Sequence, residues 1–208
     1  WSCTSSTLPL IPERFRLTMQ TILAFDTATA VTACALFHRG SVVGECETEA
    51  KSLLVAADAL LKNAGLQPSD LEGVVVGVGP GSFTSIRIGV AVARGLALGL
   101  GIPVAGASTL AAFAGGRPVI DARRGEVFTE DGVSTPDALE VAGETLVGDG
   151  AIRYRTIFEA AGATVPPDDD LTHRPSAALL LGAANHFGSA DEVTPIYIRE
   201  PDAKPSTP

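Results

Sequence analysis

Three short runs near the start of the chain, 21–26 (TILAFD), 31–38 (VTACALFH) and 41–48 (SVVGECET), are apolar or β-branched and too short for helices. Arg39-Gly40 between the second and third supplies a hairpin turn, so the three read as a β-meander. The pattern then changes to a helical one over 52–64 (SLLVAADALLKNA), with Ser52 as a possible N-cap and Gly65 as the stop. After a turn at Pro68-Ser69-Asp70, the run GVVVGV at 73–78 is apolar throughout, the mark of a strand buried on both faces. Residues 86–100 read as a helix, Pro103-Val104 opens another short strand, and 108–114 reads as a short helix. The order β-β-β-α-β-α-β-α predicts an α/β unit, a meander continued by parallel strands with crossover helices.

The second half is more weakly patterned. Segments 118–121, 126–130 and 145–148 read as strands, with a turn at Glu130-Asp131-Gly132. Segments 152–161 and 176–187 read as helices, and 193–198 as a last short strand. A boundary near Gly115-Gly116 divides a first lobe, 19–115, from a smaller one, 116–203, with 204–208 as a polar tail. The only methionine, Met19, directly precedes the first strand. Residues 1–18 lack the charged start and apolar run of a signal peptide. They are expected to be a non-native or disordered extension, with the natural start at Met19.

Composition narrows the class. At 208 residues, 46% hydrophobic and 19% charged, the chain is globular and holds one domain or two small ones. A mean hydropathy of +0.27 raises the question of a membrane span. The longest uncharged run, 95–116, is broken by Pro103 and several glycines, so no span is expected. Twenty-four acidic against 15 basic residues give a net charge of −9 with no basic cluster, which argues against a primary nucleic-acid reader or a binder of anionic membranes. Cys3, Cys34 and Cys46 form no CxxC, and His38, His173 and His186 have no metal-ligand spacing. Reduced thiols, a cytoplasmic setting and no metal site are expected.

Four features could carry function. Asp26, followed by Thr27, ends the first strand, a position that in nucleotide phosphotransferases holds Mg²⁺ and phosphate; it equally suits a residue that caps its own turn. The loop Gly79-Pro80-Gly81-Ser82-Phe83-Thr84 joins a buried strand to a helix N-terminus, where free N–H groups suit an anion or nucleotide. Without GK[ST] it is not a Walker A loop, and its glycines equally serve a tight turn.

The third feature is the pair of helices. Only Arg87 and Arg94 interrupt the apolar surface of 86–100, and Gly89, Ala93, Ala97 and Gly101 form a stripe of small residues. The helix 52–64 places Leu53, Ala57, Leu60, Leu61 and Ala64 on one face and Leu54 on another. Helices apolar all round need cover, from the second lobe or from a partner chain. The expected partner interface comprises Ser52, Leu53, Ala57, Leu60, Leu61 and Ala64 of the first helix, with Ile86, Gly89, Val90, Ala93, Leu96 and Ala97 of the second. The fourth feature, Asp121-Ala122-Arg123-Arg124-Gly125-Glu126, reads as a hairpin corner with solvated ion pairs rather than a ligand site. No GxSxG or HExxH motif is present.

Together the segments ILAFDTAT (22–29), VVVGVGPGSFTSIRIGVAVARGLALG (74–99), STLAAFA (108–114), VIDARRGEVF (119–128) and PIYIREPDA (195–203) resemble the TsaB (YeaZ) family. The resemblance implies the two-lobed actin-like/Hsp70/sugar-kinase (ASKHA) fold, which is ribonuclease H-like. It also implies a subunit without catalytic activity of its own, in the bacterial machinery that makes N6-threonylcarbamoyladenosine in tRNA. Family members pair with the catalytic subunit TsaD, or with a second copy of themselves, through the two helices above. The ATPase TsaE joins the pair, tRNA is contacted mainly through the partners, and ATP or ADP belongs at the complex interface. The alternative is an independent ATP-dependent phosphotransferase of the same fold. A peptidase activity has also been attached to the family, but no nucleophile or metal motif here supports it. The sequence departs from the family at Lys51-Ser52-Leu53-Leu54-Val55-Ala56, which lacks the usual His and Pro, and at Ser85, where a Gly is usual. The segment after Phe128 is short enough to question a full hairpin there.

Overall fold

The computed structural model describes residues 19–198. Strands β1 (Thr21–Asp26), β2 (Thr32–His38) and β3 (Ser41–Thr48) form the meander. Helix α1 (Leu53–Asn63) leads from the β3 edge back to β4 (Gly73–Gly77), and α2 (Phe83–Leu100) crosses from β4 to β5 (Val104–Ala107). The sheet order is β3-β2-β1-β4-β5. The first three strands are antiparallel; β4 and β5 run parallel to β1. Parallel neighbours cannot be joined by a hairpin, which is why a helix stands between β4 and β5.

The rest of the chain forms a smaller lobe before returning. Strand β6 (Arg117–Pro118) leads into β7 (Ile120–Arg123), β8 (Glu126–Thr129) and β9 (Gly132–Ser134), which make an antiparallel sheet. Strand β10 (Leu146–Val147) pairs with β6, followed by α3 (Asp149–Arg153) and α4 (Arg155–Ala160). Val119, Val127, Val141, Leu146 and Phe158 form this lobe's own core. Helix α5 (Ala177–Ala183) then packs on the first sheet.

Alternation along the strands decides which helices cover which face. Leu23, Phe25, Cys34, Leu36, Val74 and Val76 point to one side, against α1 and α2. Ile22, Ala24, Ala33, Ala35, Phe37 and Val75 point to the other, against α5 and Leu110. The edge strand β3 fastens the returning segment. Glu45 Oε1 accepts hydrogen bonds from Ser176 Oγ at 2.8 Å and Ala178 N at 3.2 Å, in the first turn of α5. Glu47 pairs with Arg174 at 3.1 Å.

Several sequence expectations are corrected. Helix α2 starts at Phe83, three residues early, because Ser82 adopts the extended backbone of an N-cap. The expected helix 152–161 breaks at Tyr154, whose φ of −111° and ψ of 23° are not helical. The helix 176–187 stops at Ala183, and 108–114 shrinks to a 3₁₀ turn, Thr109–Ala112. Segment 193–198 is no strand but a strap: Ile196 N donates to Val78 O, and Arg94 donates to Val193 O at 2.7 Å. A full hairpin does follow Phe128, since β9 completes the second sheet. Among the described residues, α5 and the strap pack with the first sheet rather than with the second lobe, and 199–203 lie outside the described residues.

The small-residue stripe of α2 faces inward. Gly89, Ala93 and Ala97 are buried against the sheet. A Cβ on Gly89 would lie 2.5 Å from Thr27 Oγ1, whereas one on Gly95 would meet nothing within 4 Å. By length and composition α2 could cross a membrane, yet its inner stripe packs on the sheet while its outer side is exposed. The same substitution should therefore have opposite effects. Gly89→Ala should destabilise by about 1–3 kcal/mol through overpacking. Gly95→Ala should be neutral or stabilising by up to about 1 kcal/mol through helix propensity. Urea denaturation of the two variants checks this.

Candidate functional site

A cleft of about 670 Å³ opens between the lobes. One wall is the loop 80–85 and the start of α2. The opposite wall is the β7–β8 corner with Asp121, Arg123 and Arg124, and Asp149 of α3. Residues 196–198 of the strap close one side.

The loop is held by its approach to the β1–β2 turn. Ser82 N donates to Ala28 O at 2.8 Å. A Cβ on Gly81 would lie 2.4 Å from the same carbonyl, so glycine is required by space. Ser85, which stands where the family usually has Gly, lies in the first turn of α2 and bonds through Oγ to Ser82 Oγ at 3.0 Å. The first-turn N–H groups of α2 have no intrahelical acceptors and carry the positive end of the helix dipole.

Across the cleft, Arg123 and Arg124 adopt left-handed backbone, φ 63° and 55°, before Gly125 at φ 81°. Asp121 Oδ2 pairs with Arg123 and Arg153, each at 3.3 Å. Asp149 Oδ1 accepts from Asp121 N at 3.0 Å. Burial, and to a lesser degree the neighbouring Asp121 charge, raises the Asp149 carboxyl above its ordinary range, against the pull of backbone N–H groups and Arg123. On the strap, Tyr197 OH accepts from Arg87 Nε at 2.8 Å, and the Arg87 guanidinium lies 4.0 Å from the centre of the Phe83 ring.

Of the residues expected at an anion or nucleotide site, Gly81, Ser82 and Thr84 line this cleft; Asp26, Thr27 and Gly79 do not. Asp26 is fully buried. Its Oδ1 accepts from Ala28 N at 2.6 Å and its Oδ2 from Thr109 Oγ1 at 2.7 Å. Thr109 Oγ1 in turn accepts from Gly79 N at 3.1 Å. Thr27 is equally buried and donates to Ser85 O at 2.6 Å. Of the two readings open for Asp26, the turn cap is the one these contacts match, and both Asp26 and Thr27 tie β1 to neighbouring loops. The 121–126 segment is the hairpin corner expected, but it also forms a cleft wall, which only the packing of the lobes reveals. None of the three histidines lines the cleft. Among the described residues no group of three or more His, Cys, Asp or Glu is placed to hold a metal.

Most of the expected partner residues are covered within the chain. Leu53, Ala57, Leu61, Ile86, Gly89, Val90, Ala93 and Ala97 are buried in the chain's own core. Ser52, Leu60 and Leu96 are partly covered, and Ala64 is exposed. The outward surface of the two helices instead exposes the apolar or small residues Leu54, Val55, Ala59, Ile88, Ala91, Gly95, Leu98 and Gly99, beside Lys62, Asn63, Thr84 and Arg87. Leu54 is 54% exposed, Val55 73%, Ile88 39% and Leu98 76%.

Residues 47–173 match the family model described as TsaD, tRNA N6-adenosine threonylcarbamoyltransferase. An uncharacterised protein of Mycobacterium tuberculosis is 37% identical over 211 residues, covering 91% of this chain and 97% of that one. The tRNA threonylcarbamoyladenosine biosynthesis protein TsaB of Bacillus subtilis is 30% identical over 220 residues, covering 88% of this chain and 96% of that one. The solved structure of YeaZ from Pseudomonas aeruginosa has a TM-score of 0.72 and 27% identity, covering 86% of this chain and 100% of that one.

The burial of Asp26 yields a pH prediction. Burial raises its carboxyl above the ordinary range, although the Thr109 and Ala28 hydrogen bonds oppose this. The folded chain then holds the Asp26 proton more tightly than the unfolded chain. Its contribution is most favourable in acid and is lost as pH rises through the folded pKa. Asp26→Asn removes this titration, so the wild type should gain stability relative to the variant as pH falls from neutral to mildly acidic. Urea denaturation across that range measures the difference.

Proposed function

This chain belongs to the TsaB (YeaZ) family of tRNA threonylcarbamoyladenosine biosynthesis proteins, and we propose that it serves in that synthesis as a non-catalytic scaffold that pairs with TsaD. The observation that carries this reading is the outward face of α1 and α2. Both helices cover the same side of the sheet, and away from it they expose Leu54, Val55, Ile88 and Leu98. Gly95 and Gly99, where an added Cβ would meet nothing within 4 Å, leave room for another helix to approach α2 closely. Covering a few hundred Å² of such surface would contribute several kcal/mol to association, at about 25 cal/mol per Å². The partner of this face is TsaD, and a second copy of the chain takes its place when TsaD is absent.

The net charge of −9 supports leaving tRNA contact mainly to the partners. TsaE, the ATPase, joins the assembled pair, and all of it acts in the cytoplasm. ATP or ADP belongs at the junction of subunits rather than tightly bound by this chain alone. The alternative, an independent phosphotransferase, needs Asp26 to reach a metal–nucleotide complex. A fully buried carboxyl already held by Thr109 and Ala28 weighs against it.

Replacing Leu54 and Leu98 together by Asp should weaken binding to cognate TsaD by at least tenfold, about 1.4 kcal/mol. The urea midpoint should barely move, since both side chains point outward. Calorimetric titration with TsaD checks the first, and threonylcarbamoyladenosine formation in a reconstituted system containing TsaD and TsaE should fall with it. Modification that runs equally well without this chain would refute the scaffold role.

A further inference from the structure

Cys34 and Cys46 are twelve positions apart in sequence, yet the register of β2 and β3 sets them directly opposite each other. Opposed residues in an antiparallel pair have Cα atoms about 4.5–5.5 Å apart, inside the span of about 4.4–6.8 Å that a disulfide bridges. Both lie on the side of the sheet covered by α1, Cys34 in the core and Cys46 at its margin. Both are free thiols, Cys34 buried and Cys46 partly exposed. β3 is the outermost strand of its sheet, so a small reagent can approach Cys46 from the edge.

The electrostatics separate the two sulfurs. The hydrogen bond shared between the thiols, together with burial, pushes Cys34 up. The same bond lowers Cys46 to about 7, against the opposing effects of partial burial and the Glu45 charge. A partly exposed thiol with thiolate character beside a protonated neighbour is the arrangement of an attacking and a resolving cysteine.

We propose that Cys34 and Cys46 form a reversible dithiol that hydrogen peroxide converts to an intramolecular disulfide, with Cys46 attacking and Cys34 resolving. The Cys46 thiolate attacks one peroxide oxygen. An S–O bond forms, the O–O bond breaks, and the departing hydroxide takes up a proton as water. The Cys34 sulfur then attacks the Cys46 sulfenic acid. The S–S bond forms, the S–O bond breaks, and the hydroxide released takes the Cys34 proton as a second water. Peroxide is the oxidant and both sulfurs are oxidised. The bond staples the edge strand β3, which carries Glu45 and Glu47 against the start of α5, to its neighbour β2. The exposed side of Cys46 leaves the bond open to reduction by a small thiol.

The test uses the full chain with Cys3→Ser, reduced and then treated with hydrogen peroxide. N-ethylmaleimide labelling after unfolding, intact mass and a non-reducing peptide map give the readout. The expected product loses the mass of two hydrogens and takes up no label. It yields a linked Cys34–Cys46 peptide, and dithiothreitol restores both thiols. In Cys34→Ala, matched in size to the flanking Ala33 and Ala35, peroxide should leave a Cys46 sulfenic acid that dimedone traps. If that variant does not fold, the peptide map of the Cys3→Ser chain decides alone. Two thiols that both take label after peroxide treatment would overturn the proposal. So would Cys46 recovered as sulfinic acid, or in a bond between two chains, while Cys34 remains a thiol.

Discussion

The close seating of α2 on the central sheet is the constraint on which the rest of the molecule depends. Gly89, Ala93 and Ala97 place no large side chain between the helix and the sheet, and Thr27 fills the space left at Gly89. Because the small stripe is used inside the chain, the larger side chains Ile88 and Leu98 are left outside. The first turn of α2 becomes a cleft wall, while Arg87 and Arg94 farther along hold the strap. One packing choice thus fixes the core, the exposed face and one side of the cleft.

Much of the first lobe is legible in the sequence because its elements follow simple periods. The run 73–78 could only be a buried strand, and the Arg39-Gly40 turn fixed the meander. What the sequence could not tell was which apolar stripe of α2 faces the sheet. Gly89, Ala93 and Ala97 compete with Ile88, Gly95 and Leu98, and residue type alone does not choose between them. Asp26 stays open between two readings for a related reason: its place at the end of β1 is local and suits a turn cap, but its burial under Thr109 is tertiary. The Cys34–Cys46 pairing depends on strand register, including a bulge between Leu36 and Phe37. The second lobe's strands of two to four residues carry too little pattern to be bounded from composition.

The cleft and the helix face make different demands on chemistry. The cleft brings a helix N-terminus opposite Arg123 and Arg124, but its acids are already matched: Asp121 by Arg123 and Arg153, Asp149 by the Asp121 amide. Asp26, in the position of a phosphotransferase carboxylate, is spent on holding loops together. The helix face, in contrast, leaves Leu54, Val55, Ile88 and Leu98 exposed among the described residues. The proposed assembly role rests on that asymmetry.

The most direct test is methyl cross-saturation by NMR, with the labelled chain bound to its cognate TsaD. The account predicts that the methyls of Leu54, Val55, Ile88 and Leu98 lose intensity while those of Leu53, Leu61 and Val90 keep theirs. Loss confined to the methyls around the cleft, with the helix face untouched, would contradict it.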